Sequence, residues 1–385
     1  MALSVPLQYI AALLAVDHAQ EAGRAVLFAS TVGFDEFERN IPAVAAISGA
    51  SITSLEQIVA IGRQALSIAS PVVKEQHLVS RVLLRQFCVP NARGEAQLLA
   101  HSLQYGRARL TGPGGVAKRD HFVKIDSQET EHVWGQVEQD LSKTLAAIRT
   151  RRVLRDPHFV TLLKEAVALH FARSLDTLEM QETLMRQTLE QRRVAYLDDW
   201  EQMRELYFKK HHLYPPLASR ATREEIADDL LEQTKQLSES GVLFRLRVVD
   251  LFEKARVMAG WMGLRIMSPR SGEFLVGDVP AIPINEDTGA SGLLGGVALG
   301  DATMIVLPLS PTRLLALARG PDEFVRIPAG MVRELNRYQI AHAKTQVATR
   351  PGSGLTDLVL AKRPLPQHRQ GSLVLDRGAA FPSKL

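Results

Sequence analysis

Gly272-Glu-Phe-Leu-Val-Gly-Asp-Val-Pro280 sets a short apolar run, Phe274 to Val276, between turn-forming residues, the pattern of a buried strand. Thr303-Met-Ile-Val-Leu-Pro-Leu-Ser310 reads as a second such strand, and the glycine-rich stretch from Gly289 to Gly300 joins the two. More broadly, Trp261 to Pro283 reads as β. These segments make the chain α+β rather than all-helical, because helical periodicity dominates on both sides of them.

Upstream, Val133, Trp134, Val137, Leu141 and Leu145 lie along one helical stripe, and Asp156-Pro157 starts the helical region that runs to about His212. Val242 to Val249 fits helix or strand equally. Downstream, Asp322 to Val347 reads as helix. Residues 98 to 125, with the turn cluster Thr111-Gly-Pro-Gly-Gly115, suggest a hairpin or an irregular β excursion. At the N-terminus, Leu7, Ile10, Leu13 and Leu14 recur at helical spacing, Ala25 to Ser30 fits a short strand or a helical turn, and Ser54 with Gln57 forms a capping box. Ser70-Pro71 interrupts this pattern. Beyond Arg350 no period is sustained, so a loosely ordered tail is expected.

Composition removes several classes. Of 385 residues, 46% are hydrophobic and 23% charged, which excludes a wholly disordered chain. The single cysteine, Cys88, excludes a disulfide-stapled scaffold. No cationic start precedes the apolar opening residues, and no uncharged run reaches the roughly 18–20 residues that cross a bilayer. A soluble, cytoplasmic protein without membrane contact is therefore expected. The net charge of +4 resides in the tail, leaving 40 basic and 40 acidic side chains in residues 1–349. A nucleic-acid partner thus gains no support from a basic excess over the folded part.

No phosphate-binding loop with its lysine, no His-Glu-x-x-His and no Gly-x-Ser-x-Gly is present. Isolated polar residues carry the candidate chemistry instead. In Gln76-His-Leu-Val-Ser-Arg-Val-Leu-Leu-Arg-Gln-Phe87, helical spacing places His77 near a helix start and stacks Arg81 with Arg85 one turn apart. A histidine there is kept neutral by the macrodipole and suits a general base or a metal ligand. His170 and Ser174 interrupt the apolar stripe of the helix after Pro157, with Arg173 beside them, so a polar partner must face that turn. Asp278, just past a strand end, is the expected partner, placed to pair with Arg173 or to orient His77. The run Arg149, Arg151, Arg152, Arg155 reads first as a solvated helix end, with phosphate contact as the alternative.

Together these segments resemble a mainly bacterial family catalogued as domain of unknown function 4238. That family shows Gln-His-Tyr-Val-Pro followed by Leu-Arg-Asn-Phe, matched here by Gln76-His-Leu-Val-Ser80 and Leu84-Arg-Gln-Phe87. A later helix carries an arginine, matched by Arg173. A Ser-Asp-Asn-Pro element corresponds to Gly277-Asp-Val-Pro280, a Pro-Leu-Ser-Pro strand end to Pro308-Leu-Ser-Pro311, and the last helix to Glu334-Leu-Asn-Arg337. The resemblance covers roughly residues 74–348. Ser80 replaces the usual proline, and His170 stands where the family has glutamine. The resemblance implies that His77, Arg85, Arg173, Asp278 and Pro280 recur together.

The sequence is therefore read as an α+β protein with a mostly helical core and a small sheet (71–349), a helical N-terminal extension (1–70) and a loose basic tail (350–385). The expected function is hydrolysis of a phosphodiester or nucleotide-type substrate. His77 would be base or ligand, Asp278 its orienter or a metal ligand, Arg173 an anion clamp, and Arg81, Arg85 and His170 substrate contacts. The alternative is a non-enzymatic ligand-binding or regulatory module in which the polar trio is structural. No particular cofactor, metal or oligomeric state follows from these residues.

Overall fold

The computed structural model describes residues 34–60 (54 and 58 apart), 75–124, 127–215 and 219–361. The helix expected over Leu7 to Leu14, the run Ala25 to Ser30, the Ser54 cap, the Ser70-Pro71 break and the tail beyond residue 361 lie outside them. In chain order, α1 (Phe34–Arg39) and α2 (Ile41–Ser48) precede β1 (Glu75–His77), α3 (Arg81–Arg85) and β2 (Val89–Pro90). The hairpin β3 (Ala96–Ser102) and β4 (Arg107–Thr111) then leads to β5 (Lys118–Asp120). Helices follow: α4 (Ser127–Arg149), α5 (Pro157–Ala172), α6 (Leu175–Asp198), α7 (Trp200–His211), α8 (Arg220–Glu239) and α9 (Val242–Trp261). After them come β6 (Gly263–Pro269), β7 (Val276–Gly277), β8 (Ile282–Asn285), β9 (Ala290–Ser291), β10 (Met304–Ser310), β11 (Arg313–Ala318) and β12 (Glu323–Ile327). Helix α10 (Ala329–His342), β13 (Gln346–Thr349) and α11 (Thr356–Leu360) close the described chain. The fold is α+β.

The chain clusters into two compact units, one of residues 1–73, 123–130 and 181–247, the other of residues 74–122, 131–180 and 248–385. In the first, α7 and α8 pack through Met203, Ile226 and Ala227, bordered by Tyr196, Trp200 and Tyr207. The caps follow from sequence: Asp199 accepts from the Gln202 N–H at the start of α7, and Ser219 from the Thr222 N–H at the start of α8.

The second unit holds the sheets. Its largest has the order β12-β6-β11-β10-β8-β9. β10 and β11 pair antiparallel with Val306 opposite Ala316, and β6 pairs antiparallel with β11. Ile305 to Leu309 and Leu314 to Ala318 are buried at every position. Such strands are covered on both faces, which is why they read as continuous apolar runs rather than alternating ones. One cover is α10, whose Val332 and Leu335 join Phe274, Ile282, Val306 and Leu314 in the core. β6 begins where only glycine fits, since a Cβ on Gly263 would stand 1.9 Å from the Gly320 carbonyl oxygen.

The structure changes some sequence readings and settles another. Glu323–Ile327, expected as helix, is a strand parallel to β6. Val242 to Val249, open between helix and strand, is helical. His77 does not start a helix but ends β1, paired with β5 through the register His77 opposite Lys118. The helix begins at Arg81, where the Ser80 hydroxyl accepts from the Val82 N–H. Past residue 350 the chain continues into α11, where Val359 is buried.

Candidate functional site

The end of α5 brings several of the expected residues together. Asp156 caps the helix by accepting from the His158 N–H, Pro157 occupies its first turn, and Arg173 closes it. Its last turns are buried on all sides, so His170 (0% exposed) and Arg173 (2% exposed) must find partners inside. His170 Nε2 accepts from the Ser80 N–H at 3.1 Å, and Nδ1 lies 2.7 Å from the Ala166 carbonyl oxygen. An acceptor at Nε2 leaves the ring proton on Nδ1. Burial first, and then the Arg173 charge, push the His170 pKa down to about 4.

Arg173 pairs with Glu138 at 2.6 Å, not with Asp278, and its guanidinium lies 5.1 Å from the Trp134 ring centroid. Both partners come from α4, one turn apart. The Ser80 hydroxyl also hydrogen-bonds Glu138. His77 sits near Arg81 and Arg173, and burial, then those two cations, lower its pKa. Its Nε2 and the Arg173 Nε are buried without hydrogen-bond partners. The centre therefore joins His77, His170 and Arg173 with the unanticipated Ser80, Glu138 and Trp134. Arg81 borders it, whereas Arg85 is exposed at the other end of α3.

Asp278 is elsewhere in the hydrogen-bond network. Its carboxylate accepts from the backbone N–H groups of Lys344 (2.7 Å), Thr345 (2.8 Å) and Gln346 (3.1 Å) and from the Thr345 hydroxyl. It organises the turn between α10 and β13, the strand that pairs with β7. From α10, Gln339 accepts from the Gly277 N–H and donates to the Pro280 carbonyl, while Asn336 accepts from the Leu275 N–H and donates to the Glu273 carbonyl. Gly277 is required there, because a Cβ would meet the Gln339 carbonyl oxygen at 2.8 Å. The expected pairing of Asp278 with Arg173 or His77 is thus replaced by a turn clamp.

A cavity of about 410 Å³ opens between the C-terminal end of α4 and the β10–β11 turn. Arg149, Arg313, Arg350 and Glu273 supply its charges, while Leu145, Ile148, Leu309 and Pro311 supply an apolar wall. Arg350 is held by Glu273 through Nε and one terminal nitrogen, Nη2. Arg149 donates to the neutral Gln86 at 2.9 Å. Arg313 donates to the Thr312 carbonyl, and its buried Nε has no partner. Burial, then the charges of Arg151 and Arg326, hold the Arg313 pKa below its usual value. Three guanidiniums against one carboxylate leave two positive charges uncompensated in the lining. Arg149 is exposed, as the reading of its run as a solvated helix end expects, and it lines the cavity opposite the end of Pro308-Leu-Ser-Pro311. Among the described residues, no group of three or more His, Cys, Asp or Glu side chains is gathered to hold a metal ion. No helix among them is long and apolar enough to cross a membrane.

The family described as protein of unknown function (DUF4238) matches residues 75–353, which span the second unit's sheets, the buried centre and the cavity. The chain belongs to this family. No curated protein and no solved structure matches it. Within the matched segment, the backbone N–H at position 80, which a proline there would lack, is donated by Ser80 to His170.

This pairing yields a pH dependence. His170, and His342, which hydrogen-bonds the Ser291 hydroxyl at 2.9 Å, both have pKa values pushed down to about 4, His342 by burial and then Lys344. Below pH 6.5 the unfolded chain takes up protons that these folded imidazoles refuse, so stability falls as pH drops from 6.5 towards 4. His170→Gln keeps an acceptor for Ser80 and a donor for Ala166 but does not titrate. Urea midpoints measured between pH 7 and 4.5 are expected to fall less steeply in this variant. An unchanged slope would remove His170 from the acid response.

Proposed function

We propose that this protein is a ligand-binding module that takes a small organic anion in the cavity between α4 and the β10–β11 turn, with the His77–Arg173 centre and Asp278 serving the fold. The observation that carries this reading is the uncompensated charge of the lining, two guanidiniums in excess of the one carboxylate. Clustered like charges cost stability, and an anion bound among them recovers it. Support over the hydrolytic reading comes from Asp278, whose acceptors are occupied by the α10–β13 turn and so do not orient His77.

Arg313 gives the test. Its guanidinium faces the Arg151 and Arg326 charges and buries an unpartnered Nε. Arg313→Gln is expected to stabilise the ligand-free protein by about 0.5–1 kcal/mol, the usual gain when a site residue strained for function is relaxed. The same change is expected to abolish most of the thermal stabilisation that millimolar phosphate or pyrophosphate gives the wild type. If neither anion raises the wild-type melting temperature, or both raise it equally in Arg313→Gln and Arg149→Gln, the cavity is not the binding site.

A further inference from the structure

Resting on that reading, we infer that the ligand is the dianion of a phosphate monoester borne on a compact apolar or aromatic body. The charge count selects the dianion. Arg149, Arg313 and Arg350 face the cavity against Glu273 alone, so a twofold negative group balances the charges of the lining, with Arg151 and Arg326 adding further positive potential at Arg313. A carboxylate, a sulfate ester or a phosphodiester carries one charge and leaves one of the lining's excess positive charges unmatched beside Arg313, whose Nε is buried without a partner. A phosphate monoester carries close to two charges at neutral pH, together with three terminal oxygens.

Geometry agrees with the charge. Guanidiniums present parallel N–H donors that match phosphate oxygens two at a time. Arg149 enters from the end of α4, Arg313 from the start of β11 and Arg350 from just beyond β13, so the three approach from separate elements rather than one surface stripe. The Ser310 and Thr312 hydroxyls line the turn between them. Ser310 already accepts from the Thr312 N–H, which leaves its O–H to donate. Leu145, Ile148, Leu309 and Pro311 offer nothing to a bare oxyanion but cover an apolar body. A cavity of about 410 Å³ falls within the range of roughly 300–1,000 Å³ typical of small-molecule sites.

Isothermal titration of the full chain at pH 7.5 with phenyl phosphate, methyl phenyl phosphate, phenylacetate and inorganic phosphate tests this. Phenyl phosphate is expected to bind about tenfold or more tighter than the diester or the carboxylate, the yield of one further charge-assisted contact. Inorganic phosphate is expected to bind more weakly than phenyl phosphate because it leaves the apolar wall wet. The lining holds no histidine, the side chain that changes charge between pH 5 and 8. Arg149, Arg313, Arg350 and Glu273 face the ligand, with Arg151 and Arg326 acting on Arg313. Affinity for phenyl phosphate should therefore rise about fourfold from pH 5.5 to 7.5, following the ligand's second ionisation near 6. Equal affinity for monoester and diester, or a flat pH profile, overturns the monoester assignment while leaving an anion site in place. Equal affinity for phenyl phosphate and inorganic phosphate overturns the organic body alone. Binding that persists undiminished in both Arg149→Gln and Arg313→Gln, or no binding of any probe, overturns the cavity itself.

Discussion

Glu138→Ala is expected to destabilise the fold by about 3–5 kcal/mol, the cost of stripping one partner from a buried ion pair. Arg173 is 2% exposed, its Nε already lacks a partner, and Glu138 supplies its carboxylate contact at 2.6 Å. Without that carboxylate the guanidinium keeps the Trp134 face, an interaction worth about 2 kcal/mol when desolvated. Burial raises the Glu138 pKa, but the Arg173 charge and hydrogen bond outweigh it and hold the carboxyl below its usual range. The pair therefore contributes fully at neutral pH, and its contribution is lost as pH falls through that depressed value. The double variant Glu138→Leu/Arg173→Met removes both charges and should regain most of the loss, since a well-packed apolar pair replaces a buried ion pair at little cost. Urea unfolding of the wild type, Glu138→Ala and the double variant measures the loss and its recovery. A loss below about 1 kcal/mol in Glu138→Ala would show the pair to be solvated and the centre to be no structural anchor.

The legible parts of this fold were those in which a local pattern and the tertiary environment agree. Ile305 to Leu309 is apolar at every position because the strand is covered on both faces, and that run is visible without a structure. Glu323–Ile327 was hidden because its strand character comes from parallel pairing with β6, some sixty residues away, while the helical pattern of α10 begins only two residues beyond it. His77 was misplaced because Leu78, Val82 and Leu83 mimic a helical face, although Ser80 carried the cap signal that starts the helix later. The site residues divide in the same way. His170 and Arg173 stood out because polar groups on an apolar stripe need partners. Glu138 gave no such signal, although its spacing of one turn from Trp134 places both on the same side of α4. Asn336 and Gln339 were inconspicuous because an amide on the buried face of a helix reads as surface until a strand needs its donor and acceptor.

Asp278→Ala should cost about 3 kcal/mol or more, given that single hydrogen bonds to charged groups contribute about 1.5–3 kcal/mol and four converge on this carboxylate. Asp278→Asn is expected to be nearly as damaging. All four partners are donors, so the amide nitrogen that replaces one carboxylate oxygen meets N–H and O–H groups it cannot accept from. The loss should spread to β13, since the turn that Asp278 gathers sets the register in which Val347 pairs with Gly277 and His101. Hydrogen exchange of the Ala348 and Thr349 amides is expected to accelerate in both variants. A structural role and a chemical one part at this residue. Because Asp278 does not line the cavity, the folded fraction of Asp278→Asn should bind phenyl phosphate with wild-type affinity. A variant that melts like the wild type yet loses binding would instead make Asp278 part of the site, and would return the carboxylate to the role first expected of it.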